Sequence, residues 1–377
     1  MYKDNLNKIS NPHFENLNGL RFIGAFSVFL FHSFTLGREI WGDFFQNIGF
    51  RTIAKVMTKG HHGVALFFVL SGFLITYLLL NEAKHNGKIN VKGFFMRRLL
   101  RIWPVYFIVI IFGFFLFPIL PFGDTTSNSL LHCSLFISNF EEIWNGWRDS
   151  ISFLSVTWSV SVEEQFYIGW VALMAILPRF RKGKFFLLYF CLLILTNLVF
   201  RTLYAGEERI IYFHTFSVVS DLAIGGFLSY ACFHYKIKER IKDISRLKIT
   251  LVYISGILIT IFSSHIFLGK LVIIERIILG LFFAFIIFEQ AYCTHSFYKA
   301  DKIKGFFKLG ELSYGFYMYH CIVIYYVQQI ILKLEWQNSP IGFIVFILTA
   351  LLLTIVISSI SYRLVEAPLL KLKKKFR

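Results

Sequence analysis

Along this 377-residue chain the apolar positions gather into ten blocks, at roughly 20–36, 62–80, 102–122, 158–178, 185–203, 211–233, 249–268, 271–291, 312–333 and 341–362. Most reach the ~20 residues that a helix rising ~1.5 Å per residue needs to cross ~30 Å of hydrocarbon. The first block is short and contains Arg21 and His32. A further apolar piece at 130–140 is too short to cross and reads as a re-entrant or interfacial segment. Only Gly269 and Lys270 divide the seventh block from the eighth. The pattern predicts an all-α fold, a polytopic transmembrane helical bundle of about ten spans. Its expected organisation is an N-terminal segment at 1–19, a membrane domain at 20–366 and a basic tail at 367–377. No solenoid repeat and no second soluble domain is evident.

The polar stretches between blocks set the orientation. Ten spans place both termini on one side, and the termini and loops of that side carry 28 of the 39 Lys and Arg. Under the positive-inside rule both termini are cytoplasmic, and an eleventh span at 130–140 would scramble the later loops. Composition agrees with a membrane solvent, with 56% hydrophobic residues, 16% charged residues and 46 Phe. This excludes a disordered chain, a coiled coil and a typical soluble enzyme. The net charge of +17 is then the cytoplasmic excess of Lys and Arg, not a nucleic-acid footprint. The run from Lys371 to Lys375 reads as an anchor on an anionic leaflet of membrane lipid. Lys3 and Lys8 precede an apolar block, but no small-residue cleavage site follows, so this segment is expected to be retained. Cys133, Cys191, Cys232, Cys293 and Cys321 show no CxxC or metal-type spacing. They read as small buried hydrophobes without disulfide or zinc.

Polar residues at membrane depth are costly and by default face a cavity or a partner. Arg21 and His32 are eleven residues apart, which returns them to nearly one helix face ~16 Å apart along the axis. A snorkelling Arg and a hydrogen-bonded packing His would satisfy the same pattern. The cytoplasmic loop before the third block carries Arg97, Arg98 and Arg101, and Arg98 and Arg101, three apart, share a face if helical. A guanidinium pair there suits phosphate, although positive-inside anchoring also places Arg at such a mouth. Pro104 is tolerable near a helix start. Trp158 reads as an interfacial ring with Glu163 ~7 Å below it. Glu163 and Glu164 point ~100° apart, which suggests different roles: a base, a partner for His32, or a structural ion pair. Ser313, Tyr317 and His320 fall at helical spacing and suit interhelix hydrogen bonds. Asp221 and Glu366 read as architectural anchors. His61-His62-Gly63 lacks a third ligand for a metal.

Six segments together resemble the acyltransferase-3 family of integral-membrane O-acyltransferases. They are Leu17-Asn-Gly-Leu-Arg21 with His32; Gly63-Val-Ala-Leu-Phe-Phe-Val-Leu-Ser71-Gly72; Arg97-Arg98-Leu-Leu-Arg101-Ile-Trp-Pro104; Thr157-Trp158-Ser-Val-Ser-Val-Glu163-Glu164-Gln-Phe-Tyr167; Ser313-Tyr314-Gly-Phe-Tyr317-Met-Tyr-His320; and Tyr362-Arg-Leu-Val-Glu366-Ala-Pro368. They occur in the family's order over about 17–368. Ala65 departs from it where many members carry an acidic residue. No esterase-like domain follows within these residues, unlike the two-domain members.

The resemblance implies transfer of an acyl group, usually acetyl from acetyl-CoA as co-substrate, to a hydroxyl of a cell-envelope glycan, a glycolipid or another sugar-containing acceptor. It implies cytoplasmic donor entry and a bacterial plasma membrane. It makes His32 the candidate catalytic residue, associates Arg21, Arg98 and Arg101 with the donor, and places Glu163 on the family's Trp-to-Glu motif. On that footing Arg98 and Arg101 hold the CoA phosphates, His32 acts as base, and Glu163 orients it. Ser71 or Tyr167 would steady the oxyanion, with Tyr317 and His320 as further substrate contacts. Direct transfer and an acyl-histidine relay are both compatible. No metal and no nucleic acid are expected. The rival class is a polytopic transporter or channel with an intramembrane His/Glu/Arg relay. Against it, no matching pair of Gly/Pro-broken half-helices is evident in two halves.

Overall fold

The computed structural model describes residues 14, 16–42, 47–126, 128–145, 152–181, 183–235 and 237–376. Most of the 1–19 segment, including Lys3 and Lys8, and Arg377 at the end of the tail lie outside the described residues. No strand occurs among the described residues. Ten helices of 16 to 24 residues dominate: α1 (Leu17–Ile40), α2 (Gly63–Asn86), α3 (Val91–Ile111), α4 (Thr157–Ile176), α5 (Gly183–Leu203), α6 (Thr215–His234), α7 (Arg246–Ile261), α8 (Val272–Tyr292), α9 (Ser313–Lys333) and α10 (Pro340–Ser361). Each overlaps one of the ten apolar blocks.

Eight of the ten lie in stretches long and apolar enough to cross a membrane. The exceptions have physical reasons. The first half of α4 carries Thr157, Ser159, Ser161, Glu163, Glu164 and Gln165. Helix α7 has 16 residues, a rise of about 24 Å, short of a full crossing. Outward faces are apolar, as lipid requires. On α5, Leu188, Leu192, Leu195 and Val199 recur every three or four residues and are all exposed. Cys191 is exposed on the same helix, so it is not the buried hydrophobe expected, whereas the other four cysteines are buried.

Small residues set the closest helix approach. Gly72 on α2 lies against the Leu222 carbonyl of α6, and Gly225 lies against the Val69 carbonyl of α2, so a Cβ at either would collide with backbone. This close packing fixes α2, whose next residue toward the N-terminus is Ser71. The start of α1 is held from far along the chain. The Asp301 carboxylate accepts from the backbone N–H of Asn16 at 2.7 Å and of Gly19 at 2.6 Å, using donors that a helix N-terminus leaves free.

The 130–140 piece forms two short helices, Leu130–Ser134 and Ser138–Trp144, neither of crossing length. Gln165 of α4 ties them down, donating to the Phe136 carbonyl and the Asn139 side chain, both at 2.8 Å. Three local expectations change. The arginines of 97–101 sit on α3, not in a loop, because that helix starts at Val91. For the same reason Pro104 lies well inside the helix. Trp158 is buried, packed edge-on to Phe68 and Phe213, not interfacial. The tail continues as a short helix, Ala367–Leu372, and a turn, Lys373–Phe376. It docks on α3, where Arg97 donates to the Phe376 carbonyl at 2.6 Å.

Candidate functional site

Five helices each contribute polar groups to one cavity. Arg21 comes from α1, Ser71 from α2, Arg98 and Arg101 from α3, Ser159 and Glu163 from α4, and Ser313, Tyr314 and Tyr317 from α9. Helical periodicity explains the assembly, because Arg98 and Arg101, like Ser313 and Tyr317, lie one turn apart on a single face.

The cavity is wired through Glu163. Ser71 donates to its Oε1 at 2.5 Å and Tyr167 donates to its Oε2 at 2.8 Å. The Arg98 guanidinium stacks over the Tyr167 ring, 4.9 Å from the centroid, and over Phe94 at 5.7 Å. Such stacking leaves the edge of the fork available to an anion. Arg21 donates to the Asn18 side chain at 2.6 Å. Arg97 is turned aside, bound to Glu82 at 3.1 Å and to the tail. Glu164 points elsewhere. It is buried outside the cavity lining, and its Oε1 has no hydrogen-bond partner. The two adjacent carboxylates therefore occupy different environments.

The tail brings a further basic group. Lys373 is half-buried, and its ammonium is pulled down to about 6 by burial first, then by the guanidiniums of Arg101, Arg98, Arg21 and Arg97. Glu366, five residues past the end of α10, is buried with one unpartnered carboxylate oxygen. Asp221 pairs with Arg276 at 2.5 Å away from this cavity.

His32 and His320 form a separate group. His32 Nδ1 is 2.8 Å from His320 Nε2, and His320 Nδ1 is 2.5 Å from the Tyr317 carbonyl. Neither imidazole lines the arginine cavity. Tyr317 belongs to both groups, because its ring lies 5.7 Å from that of His320 while it also lines the cavity. The expected Glu163–His32 bond is not formed: Glu163 bonds Ser71 and Tyr167, while His32 meets His320. The Ser71 and Tyr167 hydroxyls both donate to Glu163. Cys321 was not singled out on sequence, yet its Sγ is 3.3 Å from His320 Nε2. The signals for it and for Asn18 were present, as a His-Cys step on α9 and an i, i+3 spacing to Arg21.

The helical bundle thus encloses a cavity with three guanidiniums and a counter-charged Glu163 among its lining residues. The profile of an acyltransferase domain matches residues 14–363, and the chain belongs to the acyltransferase-3 family. It is similar to the O-acetyltransferase OatA of Staphylococcus aureus (strain NCTC 8325 / PS 47), at 26% identity over 386 residues, covering 97% of this chain and 59% of that protein. It is also similar to a putative O-acetyltransferase, SACOL0978, of strain COL, at 26% over 375 residues, covering 94% and 57% respectively. The chain thus spans about three fifths of the length of these relatives. No solved structure matches.

Proposed function

We propose that this chain is a multi-pass membrane O-acetyltransferase of the bacterial plasma membrane, with both termini cytoplasmic. It takes acetyl from acetyl-CoA on the cytoplasmic side and delivers it to a hydroxyl of a cell-envelope glycan or glycolipid. The observation that carries this reading is the convergence of Arg21, Arg98 and Arg101 on one cavity whose only lining carboxylate, among the described residues, is Glu163. Within the lining, three guanidiniums against one carboxylate leave an excess of positive charge that phosphates would neutralise. The names of the similar proteins supply the acetyl and the hydroxyl.

In this mechanism the phosphates of CoA lie against Arg21, Arg98 and Arg101, with Lys373 at the cytoplasmic lip. Glu163 acts as counter-charge and holds the cavity wall through Ser71 and Tyr167. The acetyl end extends past Tyr317 toward His32, a distance comparable with the ~16 Å rise from Arg21 to His32. His32 removes the acceptor's hydroxyl proton as the oxygen bonds to the acetyl carbon. The carbon–sulfur bond then breaks, and the proton passes to the departing CoA thiolate. Histidine suits both transfers because its ordinary pKa lies near neutral pH.

The test is purified protein in nanodiscs with radiolabelled acetyl-CoA and an envelope glycan fraction. Release of free CoA together with label on the glycan is expected. Intact acetyl-CoA after prolonged incubation with folded protein would refute the assignment.

A further inference from the structure

The hydrogen bonds around His320 fix more than packing. A carbonyl only accepts, so the 2.5 Å contact with the Tyr317 carbonyl requires a proton on His320 Nδ1. In a neutral imidazole the other nitrogen is then an acceptor, so His320 Nε2 presents its lone pair to His32. The 2.8 Å contact with His32 Nδ1 therefore requires the proton to sit on His32. Neutral His32 protonated at Nδ1 carries its own lone pair on Nε2. The chain Tyr317 carbonyl, His320, His32 thus leads from a backbone acceptor to a basic nitrogen.

We propose that His320 is a positioning residue that selects the His32 tautomer with a basic Nε2, and that it takes the place in this site that a carboxylate holds in other triads. This deepens the reading of His32 as the base and rests on it. His320 is fully buried, so its ring cannot reorient to bulk water, and the backbone carbonyl that orients it cannot ionise. The relay is neutral, which suits a site where an unpaired charge is expensive.

A metal ion is the competing explanation. Donor atoms of His32, His320 and Cys321 lie within 4.8 Å of one another. Ligands on a tetrahedral zinc with ~2.1 Å bonds stand about 3.4 Å apart. The two imidazole nitrogens at 2.8 Å are closer than that and match a shared proton.

The experiment uses the full chain in nanodiscs, with acetyl-CoA kinetics, thermal melting and metal analysis on wild type, His320→Leu, His320→Gln and Cys321→Ala. His320→Leu should lower kcat by about 10²-fold or more while the acetyl-CoA KM stays within about twofold. His320→Gln, whose amide oxygen can accept from His32 Nδ1, should recover about tenfold of that loss at the same melting temperature. Cys321→Ala should be active. A wild-type rate in His320→Leu, no recovery in His320→Gln, or one equivalent of metal that leaves with Cys321→Ala would each overturn the proposal. The tautomer is read independently of turnover by imidazole 15N NMR, which should show a protonated Nδ1 and a bare Nε2 on His32. That signature in a protein unable to use acetyl-CoA would overturn the enzymatic reading and leave the relay standing. Its absence in an active protein would do the reverse.

Discussion

The arginine cavity and the histidine pair share Tyr317 and little else. In the cavity, guanidiniums from two helices face a single carboxylate among the described lining residues, and the contacts of Glu163 and Arg98 each involve a full charge. Around the histidines the hydrogen bonds run from ring to ring and ring to backbone, and no carboxylate bonds either ring among the described residues. A charged pocket discriminates by what it binds. A neutral chain of imidazoles discriminates by where its protons sit. The two regions should therefore fail differently, one through affinity and the other through rate.

The largest expected effect comes from the histidine side. His32→Ala should lower kcat by about 10²- to 10⁴-fold, the usual worth of a positioned base. Binding of CoA to the same variant, measured by calorimetry, should be unchanged. A parallel loss of CoA binding would merge the two regions into one site.

How much of this division was legible beforehand depends on the interaction that creates it. The ten helices follow from apolar block length, and Arg98 with Arg101, or Ser313 with Tyr317, follow from helical spacing alone. Partner choice across helices does not. Glu163 was the expected partner of His32, and His320 an interhelix hydrogen-bonding residue with no partner named; only the packing of α1 against α9 and of α2 against α4 decides which meets His32. Ser71 takes Glu163 because Gly72 lets α2 sit close to α6, which sets the depth and rotation of α2. The boundaries of α3 were obscured for another reason. Its charged first turns look like a loop in hydropathy, although Asn90 caps a continuous helix from Val91. The folded-back tail left no signal beyond its charge.

The next effects should come from the cavity. Arg98→Ala and Arg101→Ala each remove a guanidinium, and hydrogen bonds to charged groups are worth about 1.5–3 kcal/mol. The acetyl-CoA KM should rise about tenfold to a hundredfold with kcat largely kept. A donor truncated to acetyl-pantetheine, which lacks the phosphates, should show no such difference between variant and wild type. An unchanged KM for acetyl-CoA in both variants would remove phosphate binding from this cavity.

Glu163→Gln sharpens the contrast in the opposite direction. The amide keeps one acceptor for Ser71 or Tyr167 but removes the negative charge that competes with phosphate. The acetyl-CoA KM should fall by a few-fold, with a modest loss of kcat from the loosened wall. A kcat loss as large as that of His32→Ala, with KM unchanged, would mean that Glu163 serves the histidines after all.

The smallest effect is expected at the lip, and pH isolates it. The Lys373 ammonium is held at about 6 instead of its ordinary 10.5, by burial and then by the arginines. Between those values the unfolded chain binds a proton that the folded chain does not, so this residue makes folding stability rise with pH across that window. A bound polyanion reverses the local field and lets the lysine keep its charge. CoA binding at pH 7.5 should then take up a fraction of a proton, measurable by calorimetry in buffers of different ionisation enthalpy, and the apparent affinity should weaken as pH rises above 6. Lys373→Met should abolish that part of the uptake, raise the CoA Kd a few-fold below pH 6, and leave kcat alone. Because the phosphates titrate equally in both proteins, the difference between wild type and variant belongs to the lysine. An identical uptake in the two would place Lys373 outside the donor's reach and return the tail to the leaflet.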